Sequence, residues 1–151
     1  MLTVSKLQEY CDRVKTALPA IKRSEVAVVK DDLAQFMQDH KKDMSILMLA
    51  VLPEHGMGGA AGAAKWENIC GFFFLIKTDY SALKGADYIN LFATTQQVAK
   101  DFGELLLIDQ ADNYGCGMLA YLDANSISAS PIKALSGCNG YYVQFSMKTN
   151  P

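Results

Sequence analysis

Two histidines, four cysteines and a small group of acids are the residues of this 151-residue sequence whose chemistry could be put to work. His55 follows Glu54 at the end of an apolar run, and Cys70 lies in the next apolar run. Side by side, they would make a thiolate nucleophile activated by an imidazole base. The neighbours argue otherwise. Cys70 sits among Ile69, Gly71 and Phe72, the setting of a small core residue, and His55 reads as a solvated loop residue. His40, near the end of a charged helical stretch, reads as a surface residue. Cys11, Cys70, Cys116 and Cys138 form no CxxC pair and match no zinc spacing, so buried or partly buried free thiols are expected. Asp109, Asp112 and Asn113 before Gly115 offer oxygen ligands. Their spacing misses the calcium-loop pattern, which leaves a solvated turn. The stretch 55–64, HGMGGAAGAA, invites a phosphate-loop reading. That motif needs Gly-Lys-Ser/Thr with a helix directly after it. Here Lys65 stands three residues past Gly62, a strand follows, and Gly56, Gly58 and Gly59 are too close together for a dinucleotide fingerprint. No catalytic residue, metal or cofactor is expected, so the chain reads as a non-enzyme. The alternative is a small cytoplasmic enzyme or ligand-binding domain with a pocket near His55 and Cys70.

The elements that would position these residues follow from hydrophobic spacing. Val4, Leu7, Cys11, Val14 and Leu18 recur at three and four, which predicts a helix with Ser5 and Gln8 in capping-box register and Pro19 as its stop. Residues 21–29 suit a short strand or an extended connector. Asp31 and Asp32 start a second helical pattern with Leu33, Phe36 and Met37 on one face, which one more step of the spacing would extend to His40, acids first and Lys41-Lys42 last. Residues 45–52 predict a buried strand ended by Pro53, and residues 68–77 a second. The Gly/Ala stretch between them predicts a long mobile loop at the tip of an antiparallel hairpin. A third helix is expected over 86–104, with 105–108 extending it or starting another element, and then a loop over 109–117. Residues 126–135 predict an edge strand, because Pro131 lies inside it. SGCNG at 136–140 is a turn. Tyr141, Val143, Phe145 and Met147 then alternate with Tyr142, Gln144, Ser146 and Lys148, the period of a strand with one buried face. The sum is one α+β domain over 1–151, with a mixed, mainly antiparallel sheet and about three helices.

Half of the residues are hydrophobic and 20% are charged, a globular balance. Lys+Arg 14 against Asp+Glu 16 leaves a net charge of -2, without the excess of positive charge that phosphate-gripping needs. No direct sequence-specific nucleic-acid binding is expected. Residues 1–8 hold no apolar core of signal-peptide length, and the runs 46–52 and 71–76 fall far short of the ~18 residues that cross a bilayer. A cytoplasmic protein without a membrane partner is expected.

Phe72-Phe73-Phe74-Leu75-Ile76 is apolar at every position, so both faces of that strand must be covered. Helices would cover one face and another subunit the other; the alternative is that the third helix covers one face and the first two helices the other, leaving nothing exposed. Gly58, Gly59, Trp66, Phe73 and Leu75 are the candidate interface residues, with the small-residue loop ordering against a neighbouring chain.

The C-terminal segment carries a resemblance as well. Ser126-Ile127-Ser128-Ala129-Ser130-Pro131-Ile132, followed by Gly140-Tyr141-Tyr142-Val143-Gln144-Phe145-Ser146-Met147, resembles the closing strand pair of tail-completion and tail-terminator (neck) proteins of tailed bacteriophages. The opening helix and the strand pair before it are compatible with the same order. What the resemblance implies is a structural protein of a virion or phage-like tail that forms head-to-tail rings. Its partners would be copies of itself and other virion or tail proteins. It would carry no catalytic residues, and would sit in the host cytoplasm and then in the virion.

Overall fold

Two long strands set the centre of the molecule. The computed structural model describes residues 1–28, 30–60, 62–78 and 84–150, with side chains for all of these but 30, 31, 116 and 117. Val29 at the end of the extended stretch, Ala61 in the Gly/Ala stretch and the Cys116 side chain lie outside the described residues. In chain order the elements are α1 (Val4–Ala17), β1 (Ile21–Ala27), α2 (Lys30–Asp39), β2 (Ile46–Gly58), β3 (Lys65–Lys77), α3 (Gly85–Ala111), a single turn α4 (Tyr114–Gly117), β4 (Tyr121–Leu135) and β5 (Cys138–Thr149). The strands form one sheet in the order β1-β2-β3-β5-β4. Among the described residues β1–β2 is the one parallel pair, and α2 supplies the crossover that parallel neighbours require. The chain is an α+β protein.

Local chemistry explains most boundaries. The cap of α1 is Thr3, whose hydroxyl accepts from the Lys6 amide at 3.4 Å, rather than Ser5. Leu7, Tyr10, Cys11 and Val14 form its buried stripe. The helix α3 absorbs both the ambiguous stretch 105–108 and the start of the expected loop, and Asp109 faces inward from it. The strand β2 does not stop at Pro53. It shifts register between Val51 and Glu54 and continues to Gly58. A register shift is where a strand tolerates proline. Ser136 and Gly137, both at positive φ (48° and 79°), make the tight turn between β4 and β5. Gly140 is required by packing, since a Cβ there would collide with the Phe74 carbonyl oxygen.

The period-two faces of β3 separate two cores. Cys70, Phe72, Phe74 and Ile76 join Ile46, Met48, Val143 and Phe145 beneath α1 and α3. Leu75 joins Leu47, Leu49 and Met37 of α2 on the opposite face. The chain's own helices therefore cover both faces, and no second subunit is needed to hide the apolar run. Leu75 is 0% exposed, which removes it from the candidate interface. Phe73 is half-buried, its ring tilted against that of Tyr142 at 4.5 Å. The Tyr142 ring also lies across Gly71, where a Cβ would meet it. Lys77 of β3 donates to the Gln38 carbonyl near the end of α2, tying that helix to the sheet.

Met44, before β2, is 51% exposed and holds φ at 62°. A side chain in the left-handed region costs roughly 1–2 kcal/mol, and glycine gives back part of that in chain entropy. Met44→Gly is expected to raise the urea midpoint by the equivalent of ~0.5–1 kcal/mol. A lowered midpoint would show that Met44 carries no strain.

Candidate functional site

The histidines, Asp109 and Cys70 are each held in a structural role. Asn68, 0% exposed, faces inward from β3 two residues before Cys70. Its side-chain oxygen accepts from the Leu2 amide at 2.8 Å and lies 2.9 Å from His55 Nδ1. An amide oxygen only accepts, so Nδ1 carries the imidazole proton. Asn68 Nδ2 donates to the carbonyl of Met147 at 3.0 Å. One carboxamide thus ties the N-terminus, β2 and β5 together, and His55 is spent on it. His55 stands in a strand, not a loop. Cys70 is 1% exposed and burial pushes its thiol up to about 12. The space beside it, walled by Leu2, Leu7, Tyr10 and Phe145, is an apolar void of about 10 Å³, room for one water at most. His55 does not line this void: its imidazole is held by Asn68 while the Cys70 thiol lies in the core, so this is not the pocket of the alternative reading, which would have put both at its rim.

His40 corrects a second expectation. It is buried at the end of α2, with Nε2 2.9 Å from the Ser45 carbonyl. A carbonyl accepts, so Nε2 donates, and the ring anchors the turn into β2. Asp109 corrects a third. It is no part of a solvated cation loop: its carboxylate, 1% exposed, takes the Arg13 guanidinium at 3.0 Å. Arg13 in turn lies over the Tyr114 ring at 5.2 Å. The Tyr10 hydroxyl faces the same carboxylate without full hydrogen-bond geometry, and burial, then the Asp109 charge, push its pKa far above the ordinary phenol value. Tyr10 and Arg13 on one side and Asp109 on the other fasten α1 to the end of α3. Among the described residues, no three His, Cys, Asp or Glu side chains converge as a metal site.

The remaining candidates lie on the hairpin of β2 and β3. Its outer part is an arm in which residues 54–60, 62 and 63 are exposed and Trp66 is half-buried. Gly58 lies in β2, paired with Lys65, and Gly59 follows in the tip. The Gly/Ala stretch is therefore strand up to Gly58, where a long loop was expected. Among the described residues the arm beyond Val51 has a strand partner on one side only, because β1 pairs with β2 no further than that residue. At the opposite margin of the sheet β4 pairs with β5 alone, as the proline inside it predicts. Between α3 and this margin runs a groove of about 470 Å³, walled by Gln96, Gln97, Lys100 and Gly103 of α3 and by Ile127 and Ala129 of β4.

The structure thus brings Gly58, Gly59 and Trp66 together on the arm, and separates them from Phe73 and Leu75 in the body. Sequence reasoning missed Asn68, although a polar residue in phase with Cys70 and Phe72 was a readable signal. It also missed the Arg13–Asp109 pair, for which no local signal exists. No protein-family model matches the chain, and no curated protein sequence matches it significantly.

Proposed function

We propose that the chain is a structural assembly subunit that works by contacts with copies of itself. It is of the tail or neck type that its C-terminal strand pair resembles. One observation carries the reading. The sheet has two open margins that differ from each other, β1 with the arm of β2 beyond its end on one side and β4 on the other. A margin that pairs with itself gives a closed two-fold dimer. Two unlike margins give head-to-tail contacts, which close into a ring when the rotation allows and otherwise extend. The structural employment of His40, His55, Asp109 and the buried thiols supports a non-catalytic role. On this reading other tail or virion proteins are partners of the assembled form, and the protein passes from the host cytoplasm into the particle. Among the described residues no helix is long and apolar enough to cross a membrane.

Native mass spectrometry and light scattering across a concentration series test the reading. A discrete multimer, alone or with tail-tube or neck proteins, is the expected result. Monomer throughout, including with those partners, would overturn it.

A further inference from the structure

We infer that neighbouring copies join by antiparallel pairing of the outer edge of β4 with the free edge of the β2 arm, residues 54–58, of a second copy. The inference rests on the assembly reading and specifies its contact.

Strand direction permits it. β2 is antiparallel to β3, β3 to β5, and β5 to β4, so β4 runs opposite to β2. In a copy displaced along the sheet without turning over, the arm meets β4 antiparallel. The α1/α3 face then stays on the same side across the joint. Length permits it as well. β1 covers β2 only as far as Val51, so the approaching edge finds residues 54–58 before it meets the end of β1. On β4 the segment 128–132 is held in continuous register with β5 between two breaks. Residues 124–132 carry no charge, so no charge must be desolvated there.

The side chains match too. His55 and Met57 pair with Asn68 and Trp66, which places them on the α1/α3 face. Met57 is 59% exposed, an unbranched apolar side chain with no cover in the single copy. Ala129 pairs with Val143 on the same face and borders the groove under α3. An arm added beside β4 directs Met57 toward that groove. Gly56 and Gly58 have open space where a Cβ would stand, so nothing bulky holds the backbones apart.

The contact is small. Five paired residues bury far less than the ~1,200 Å² of a stable two-partner interface. A lone dimer is therefore weak, and the contact persists where each copy is held twice, in a closed ring. Assembly should be cooperative, with little dimer between monomer and ring.

Pro131 shows how to test the edge without breaking the ladder. A strand proline sits where its nitrogen faces away from the neighbouring strand. Ala129 is two residues away and shares that orientation, so Ala129→Pro deletes an outward donor and leaves the β5 side intact. Met57→Lys is the second variant, at an exposed position on the arm. Each is expected to raise the concentration for half-assembly by about tenfold or more, with an unchanged thermal melt of the monomer. Hydrogen exchange of the wild type should show the amides of 54–58 that face away from β3, and that of Ala129, protected only in the assembled form. If Ala129→Pro fails to fold, Met57→Lys and the exchange data decide. Assembly of both variants at wild-type concentrations, or unchanged exchange at both edges, would overturn the edge pairing and leave the assembly reading standing. A wild type that never assembles would overturn both.

Discussion

Phe145→Asp abolishes the cooperative fold, while Gln144→Asp, one residue away, leaves it within ~0.5 kcal/mol of wild type. Phe145 is 2% exposed. Its ring stacks on Phe72 at 5.9 Å with 15° between planes and tilts against Phe102 at 6.2 Å. Removing a buried aromatic ring costs about 3–5 kcal/mol. Burying an unpaired carboxylate adds several kcal/mol more, against a total stability of roughly 5–15 kcal/mol. Gln144 faces the opposite side of β5, where it is exposed. The contrast therefore tests the register of β5, and not merely tolerance to aspartate. Circular dichroism melts of both variants decide it, with Phe145→Leu as a volume control expected to cost about 1.5 kcal/mol or less. A folded Phe145→Asp variant with a wild-type melt would mean that β5 turns its other face to α1 and α3.

The same strand shows what was legible in the sequence. Where one face is buried and one wet, as in β5, alternation writes the structure directly, and the SGCNG turn fixes its start. The order of α1, the β2–β3 hairpin, α3 and the final hairpin was readable for the same reason. Legibility failed where the deciding partner is remote. The apolar run from Phe72 to Ile76 announces two covered faces but not what covers them. That depended on whether α2 packs against Leu47 and Leu75, and a crossover helix of moderate amphipathicity does not reveal its side. The arm has no strand signal in Gly56, Met57 and Gly58; its ladder with β3 imposes the conformation, and β3 is itself held by β5 as far as Trp66. Asp109 looked like a loop residue because Asp-Gln-Ala-Asp-Asn is turn-like in composition. Its burial depends on Arg13, 96 residues earlier. The open margins were half legible, since Pro131 marks β4 as an edge, while the end of β1 that frees the arm leaves no trace in β2 itself.

Alkali should destabilise this protein steeply, through groups that have no part in assembly. Burial is the main force raising all three thiols whose surroundings are described: Cys11 and Cys70 to about 12 and Cys138 to about 11, from an ordinary 9.0. At Cys11 the Asp12 charge adds to the rise and a bond to Ser24 opposes it; at Cys138 the Lys77 charge opposes it. Tyr10 is raised as well, by burial first and then by Asp109. Each is a group whose folded pKa lies above its unfolded value. Its stabilising contribution is complete below the unfolded pKa and is lost as pH rises toward the folded one, because the unfolded chain releases protons that the folded chain keeps. At pH 10 each thiol then costs on the order of 1 kcal/mol and the three together a few kcal/mol, a sizeable share of an ordinary domain's stability. Tyr10 adds its part only above pH ~10, where a free phenol ionises. Urea midpoints measured under reducing conditions should therefore hold between pH 7 and 8 and fall sharply by about pH 10. The triple variant Cys11→Ala, Cys70→Ala, Cys138→Ala should start lower, from the cavities it leaves, yet lose much less over the same interval. Equal losses in the two proteins would show that the buried thiols do not keep their protons, and that alkaline unfolding has another source.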